Sequence, residues 1–259
     1  FQDISAIHLT ESATDQTLHL LVADRTANTV YSFTLDPTAT NLCTQVYSAS
    51  ITSPLWIRSV SGANPRIYIG YKDSLGLKMR AYQDSDLTPT SAAQTLATSG
   101  TAQFGSPIID TTNDELWVPI VAANDSTADD YVLRFNYAAY PPNPIPAYET
   151  CQSPTQIAQD YEGGARYLYI LCPASKQIQI LDSTYAAVGT LQLNFSPRKM
   201  LVGSDGTNRF IALMRSDPRL TLYKTPVANP PAWTTTTISL PAVMDDLGAF
   251  ASLDHAVLV

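Results

Sequence analysis

The chain has 259 residues, of which 45% are hydrophobic and only 15% charged, with a formal net charge of −8. That apolar share supports a substantial core and excludes a chain disordered by composition. The acidic balance excludes nucleic acid as a partner, because neutralising phosphates takes a basic face. No apolar run approaches the roughly 20 residues that span a bilayer. The weakly charged remainder, rich in Thr, Ser, Ala, Tyr and Pro, is of the kind common in secreted and cell-surface proteins. The chain begins at Phe1 without a Met, which leaves open a removed targeting segment or a longer product.

From the N-terminus, SAIHLT (5–10) reads as a first strand, followed by the hairpin TLHLLVADRTANTVYSFTLD (17–36). The hairpin recurs as RIYIGYKDSLGLKMRAYQD (66–84), ELWVPIVAANDSTADDYVLRFN (115–136), RYLYILCPASKQIQILD (166–182) and RFIALMRSDPRLTLYK (209–224). Each is an apolar, β-branched and aromatic strand, a short polar break and a second strand, with period-2 alternation that marks half-buried strands. Ser-Pro at 53–54, 106–107, 153–154 and 196–197, with Leu-Pro at 240–241, opens a further short strand ahead of each later hairpin. Proline suits a first strand position, where no ladder donor is needed. A weaker fourth strand closes each unit, as in VGTLQLN (188–194) and TTTISL (235–240). Pro, Gly, Asn and Asp interrupt every window before an amphipathic helix runs.

Four-strand units at this spacing predict an all-β fold, a β-propeller of four-stranded blades. The expected blades are 1–50, 51–103, 104–151, 152–195, 196–239 and a partial sixth over 240–259, all within a single domain. Six blades with an incomplete last one is the expectation, and seven if the chain continues. A single regular period favours this over two β-sandwich domains. The form of SPTQIAQDYEGGARYLYILCPASKQIQILD (153–182) resembles the NHL and YVTN-type propeller repeats, a broad lactonase-like group. The resemblance implies a fold and not an activity. The metal-binding Glu, Asn and Asp positions of the metal-dependent lactonases have no counterpart here.

Of three cysteines, Cys151 precedes the first strand of the fourth unit and Cys172 ends its second. Those strands are expected to be antiparallel neighbours, which brings the pair within bridging reach. A disulfide there favours an oxidising compartment, and two buried thiols are the alternative. Cys43 is left over. No Cys/His pattern has zinc spacing. His8 and His19 fall in the first unit and His255 in the sixth, which touch in a closed six-blade ring. A shared metal or acid–base site with Asp24 or Asp254 assisting is one reading, and three unrelated strand histidines the plainer one. Trp56 and Trp117 read as core. GSDGTN (203–208) and DTTNDE (110–115) read as Asp-rich turns rather than calcium loops. No GxSxG, HExxH, P-loop or EF-hand pattern occurs. No catalytic residue, metal or cofactor is therefore expected.

The loops between second and third strands gather on one face of a propeller. Asp24, Asp73, Asp125, Asp129, Asp130 and Asp217 fall in them, with Arg25, Lys72, Lys176, Arg215 and Arg219 interleaved. A mixed-charge ring suits polar-ligand or protein recognition, and a solvated loop face is the plainer reading. The third unit departs most from the repeat. Its hairpin loop is long, and Tyr137, Tyr140 and Tyr148 surround a Pro-rich run that reads as a binding insertion or as a packed edge loop. Trp233, in a second Pro-rich stretch, reads the same way. Asn124 and Asn194 fit the N-glycosylation pattern. Together these features favour a secreted or cell-surface propeller that binds a protein or glycan without catalysis. The alternatives are a structural subunit with self-assembly or strand addition at the sixth-blade edge, and a lactonase-like or other hydrolase acting at the channel mouth.

Overall fold

The computed structural model of the chain describes residues 1–12, 16–36, 38, 42–60, 65–98, 100–121, 130–139, 143–162, 165–226, 233–240, 242, 247–249 and 256–258. Among them the ordered elements are strands, with no helix. Among the described residues no helix is long and apolar enough to cross a membrane. The alternating sequences form antiparallel sheets in strict chain order, as short polar turns require. The chain divides into two compact units, residues 1–124 with 132–148, and residues 125–131 with 149–259.

The first unit holds three blades. Blade 1 is β1 (Ile4–Glu11), β2 (Leu18–Asp24), β3 (Thr29–Leu35) and β4 (Cys43–Ser50). Blade 2 is β5 (Pro54–Val60), β6 (Arg66–Asp73), β7 (Gly76–Gln83) and β8 (Gln94–Ala97). Blade 3 is β9 (Gln103–Phe104), β10 (Ile108–Asp110), β11 (Glu115–Val121), β12 (Tyr131–Asn136) and β13 (Asn143–Glu149). Here the sequence reading needs two corrections. The Pro-rich run after Tyr140 is not an insertion, because residues 143–149 form the fourth strand of the blade. An edge strand donates on one side only, so alternate prolines at 144 and 146 cost no ladder bonds. The innermost strand is also split in two: β9 pairs residues 120–121 and β10 pairs residues 115–117 of β11. Pro119 lies between those pairings, where it has no N–H to give.

The second unit holds blade 4, with β14 (Gln156–Glu162), β15 (Ala165–Cys172), β16 (Gln177–Leu181) and β17 (Ala187–Gln192), and blade 5, with β18 (Pro197–Ser204), β19 (Asn208–Arg215), β20 (Arg219–Pro226) and β21 (Thr234–Ser239). A two-stranded sheet of β22 (Leu247–Ala249) and β23 (Ala256–Leu258) follows.

Facing blades bury their apolar alternation against each other. Leu21, Ala23 and Val30 of blade 1 share a core with Ile57, Ile67 and Ile69 of blade 2. Tyr169, Leu171 and Ile178 of blade 4 share one with Met200, Ile211, Leu213 and Tyr223 of blade 5. Trp56 and Trp117 are buried, as read from the sequence. First strands of successive blades are stapled by side chains bonding the next backbone. Ser5 Oγ donates to Pro54 O at 2.5 Å and Arg58 Nε to Pro107 O at 2.7 Å. Gln156 clamps Met200 from both sides, at 2.6 and 2.8 Å. A second tie recurs at the connection between blades. The N–H groups of Ile51, Leu193 and Leu240 donate to the carbonyls of Asn28, Lys176 and Pro218, each at 2.8 Å. Asn28 and Lys176 adopt φ of 53° and 51° to aim those carbonyls.

Candidate functional site

Among the described residues, the aspartates of the second-to-third strand turns are bonded within the fold. Asp24 is almost fully buried. Its carboxylate accepts N–H bonds from Ala27 and Gln2, each at 2.9 Å. These donors hold its pKa below the usual carboxylate range. Arg25 turns away to pair with Asp3 at 2.7 Å. Asp73 accepts from Leu75 N–H at 2.8 Å and pairs with Lys78 at 2.5 Å, and Lys78 chiefly holds its pKa down. Asp130 is buried and accepts from Ser153 N–H at 2.7 Å, so it anchors the chain entering blade 4. Lys72 donates to Ala102 O at 3.2 Å. Asp125, Asp129, Tyr140, Asn124 and His255 lie outside the described residues.

Tyr137 and Tyr148 of blade 3 pack against the blade. Tyr148 lies 6.3 Å from the Trp117 ring, and burial raises its pKa. Tyr137 is half-buried, and its pKa is raised by burial first and by neighbouring Asp114 second. Trp117 Nε1 donates to Glu115 at 2.8 Å, and Arg134 pairs with the same carboxylate at 2.8 Å while stacking 4.8 Å over the indole. His8 meets Ser59 Oγ at 2.7 Å. His19 is buried between Ser32 Oγ and Thr17 Oγ1, at 3.0 and 2.6 Å. Among the described residues, no group of three or more His, Cys, Asp or Glu side chains is arranged to hold a metal ion.

Cys151 and Cys172 form a disulfide with Cα atoms 5.8 Å apart. The antiparallel pairing of β14 and β15 brings the segment before one to the end of the other. Cys43 is exposed and free.

In the second unit one cleft gathers side chains that the turns do not use. It has a volume of about 590 Å³ and lies between the outer edge of blade 4 and a face of blade 5. On β20, Arg219, Thr221 and Tyr223 alternate, so all three point to one face. Trp233, Thr235 and Thr237 alternate likewise beside them, with Tyr223 opposite Thr235 and Thr221 opposite Thr237. The two rows run from the Arg219 level to that of Lys224, about 17 Å at strand rise. Leu191, Gln192, Asn194 and Phe195 form the opposing wall.

At one end, Asp217 joins two arginines. Arg215 donates to it at 3.0 and 3.2 Å, and Arg219 donates to it as well. These bonds, from Arg219 foremost, hold the Asp217 pKa down. Arg215 also stacks 4.1 Å over Phe195. At the other end, Trp233 packs partly on the shared core of blades 4 and 5. Between them, the Thr221 side chain is only 3% exposed, and its Oγ1 has no hydrogen-bond partner.

Of the residues singled out in the sequence, the structure brings Arg215, Asp217, Arg219, Trp233 and Asn194 to this cleft or its rim. It leaves Asp24, Asp73, Asp130, Tyr137 and Tyr148 elsewhere. Thr221, Tyr223, Thr235 and Thr237 were missed. The signal was the run of four threonines at 234–237, directly after Trp233, on an edge strand.

No family model matches the chain, and no curated protein matches it. Solved structures do. A putative 6-phosphogluconolactonase from Bacteroides uniformis is similar at TM-score 0.66 and 9% identity, over 96% of this chain and 76% of that one. The periplasmic gluconolactonase of Pseudomonas aeruginosa is similar at TM-score 0.61 and 14% identity, over 96% and 77%. BBS1N, solved in complex with ARL6DN, is similar at TM-score 0.64 and 12% identity, over 95% and 70%. Such identities carry the fold alone: this is an all-β propeller of four-stranded blades.

Proposed function

We propose that this chain is a non-enzymatic recognition module, a propeller of NHL/YVTN-type blades working outside the cytoplasm and binding a protein or glycan displayed on a surface. The observation that carries this reading is the cleft of the second unit. Two parallel rows of side chains place an aromatic platform, hydroxyls and an arginine–aspartate cluster along one trough, the usual mix of a binding site. Arg215 and Arg219 share the one carboxylate of Asp217, so the cluster is fixed in place by its own ion pairs and carries one net positive charge. The Cys151–Cys172 disulfide favours an oxidising compartment, and one similar solved structure is described as periplasmic. Another similar structure is a complex with a protein, so a protein ligand is within reach of the fold.

The test is to probe the immobilised chain with arrays of glycans and extracellular proteins, while following gluconolactone hydrolysis in parallel. Specific retention of a ligand, lost on Trp233→Ala, with no lactone turnover above background, is the expected result. Turnover that disappears on Asp217→Asn would establish the lactonase-like alternative and refute the proposal.

A further inference from the structure

We infer that the ligand of the second-unit trough is an extended, uncharged oligosaccharide. This rests on the reading of that cleft as the recognition site and names what it recognises. Three observations carry it.

The first is shape. The trough follows two adjacent strands for about 17 Å, which suits a linear chain laid along the strands rather than a compact metabolite. The second is the order of groups along it. Trp233 at one end offers an indole face, partly supported by the core of blades 4 and 5, on which the apolar face of a pyranose ring packs. Thr235 and Thr237 continue from it on one strand, and Tyr223 and Thr221 on the other. Hydroxyls that both donate and accept match sugar hydroxyls, which do the same. Asn194 adds an amide on the opposite wall.

The third observation is the Thr221 hydroxyl. A buried polar group without a partner costs free energy until a water or a ligand supplies one. Thr221 lines the trough midway between the tryptophan and the arginine cluster, and its Oγ1 is such a group. The lining argues for a neutral ligand. From Trp233 past Tyr223 and Thr235 to Thr221 and Thr237 the trough is lined by uncharged side chains, and charge is confined to one end, where Arg215 and Arg219 share Asp217. A polyanion laid along the trough would leave all but its end carboxylate without a cation, whereas a neutral sugar chain meets hydroxyls along its length.

The test uses the whole chain with a panel of neutral tetrasaccharides of glucose, mannose, xylose and N-acetylglucosamine in different linkages, alongside tetragalacturonate. Trp56 and Trp117 are buried, at 4% and 0% exposure, so a ligand-induced change in tryptophan fluorescence reports on Trp233. At least one neutral tetrasaccharide is expected to shift the emission and to bind in calorimetry independently of salt between 50 and 500 mM, about the range in which screening removes surface ion pairs. Trp233→Ala should abolish the shift. Thr221→Val keeps the shape and removes the hydroxyl, and it should weaken binding about two- to tenfold with an unchanged circular dichroism spectrum. The inference is overturned if no neutral tetrasaccharide binds, if only tetragalacturonate binds and salt removes it, or if binding ignores both substitutions. A protein ligand whose retention is lost in Trp233→Ala, with no saccharide competing, would overturn this inference and leave the cleft standing as the recognition site.

Discussion

Replacing both bridged cysteines by alanine, C151A/C172A, removes a cross-link that closes a loop with a sequence separation of 21. In the chain-entropy account, a loop of that length takes about 11 cal/mol/K from the unfolded ensemble, or about 3 kcal/mol at 25 °C. Local structure adds to the loss. Cys172 is fully buried, and the Thr150 hydroxyl lies 3.4 Å from the Cys151 sulfur and 3.7 Å from that of Cys172. Truncation leaves that hydroxyl short of contacts. For a domain of this size, each kcal/mol moves the melting temperature by about 2–4 °C, so a fall of about 6–12 °C is expected. The assay is thermal unfolding by circular dichroism, with and without reductant, and with intact mass before and after alkylation. Reductant should lower the wild-type transition towards that of the double variant and leave the variant unchanged. Cys43→Ala, at an exposed free position, should match wild type throughout. A double variant as stable as wild type, or two alkylatable thiols at 151 and 172 in material from an oxidising compartment, would refute the reasoning and with it the compartment it implies.

Three further outcomes follow from particular contacts. Burial, and to a lesser extent the Arg58 guanidinium, lower the His8 pKa from 6.5 to about 4. The folded state therefore holds this imidazole neutral. Its contribution is complete above about pH 6.5 and is lost as pH falls towards 4. Urea midpoints measured across that window should fall less steeply in His8→Gln than in wild type. Glu115→Ala strands the Arg134 guanidinium and the Trp117 N–H in a largely buried setting. It should cost about 3 kcal/mol in chemical denaturation, with Glu115→Gln milder because it keeps an acceptor. At Gly70 an added Cβ would lie 2.0 Å from Trp56 Nε1. Gly70→Ala should cost about 1–3 kcal/mol from overpacking, partly relieved in a Trp56→Leu background.

The blades were legible because period-2 alternation survives wherever a strand packs one face on a neighbouring blade. Hairpins such as 66–84 and 166–182 fell where their sequences put them. The cystine was legible for a related reason: antiparallel pairing alone decides which ends meet. Blade 3 misled, since a Pro-rich run suggests a loop. Proline loses nothing on the free side of an edge strand, and Pro119 fits where β11 changes partner from β10 to β9. The turn aspartates misled in a different way. An Asp in a polar loop looks available, yet Asp24, Asp73 and Asp130 bond backbone N–H groups. The positive φ at Ser53 and Ser153, the residues ahead of two blade-opening prolines, has no composition signal either. It follows from N–H bonds to Asn28 and Asp130 far back in the chain.

Near the start of the second strand, four blades bury a polar or charged residue, and each is answered locally. His19 has Ser32 and Thr17, and Glu115 has Trp117 and Arg134. Arg166 lies over Tyr185, and Arg209 pairs with Asp160 at 3.3 Å and lies over Tyr167. Unanswered, each would cost several kcal/mol; the partners lie in the same blade for His19, Glu115 and Arg166 and in the preceding blade for Arg209. The Asp-capped turns at the other end of the blades follow the same logic. A group so committed cannot serve a ligand without being replaced by the ligand, at a cost close to what it contributed to folding. Groups free to recognise something are those the fold has positioned but not consumed, and Thr221 is one: oriented by two ladder neighbours, buried, and without a partner. That distinction, rather than how polar a loop looks, is why the proposed recognition site is the side of blade 5 and not the aspartate turns.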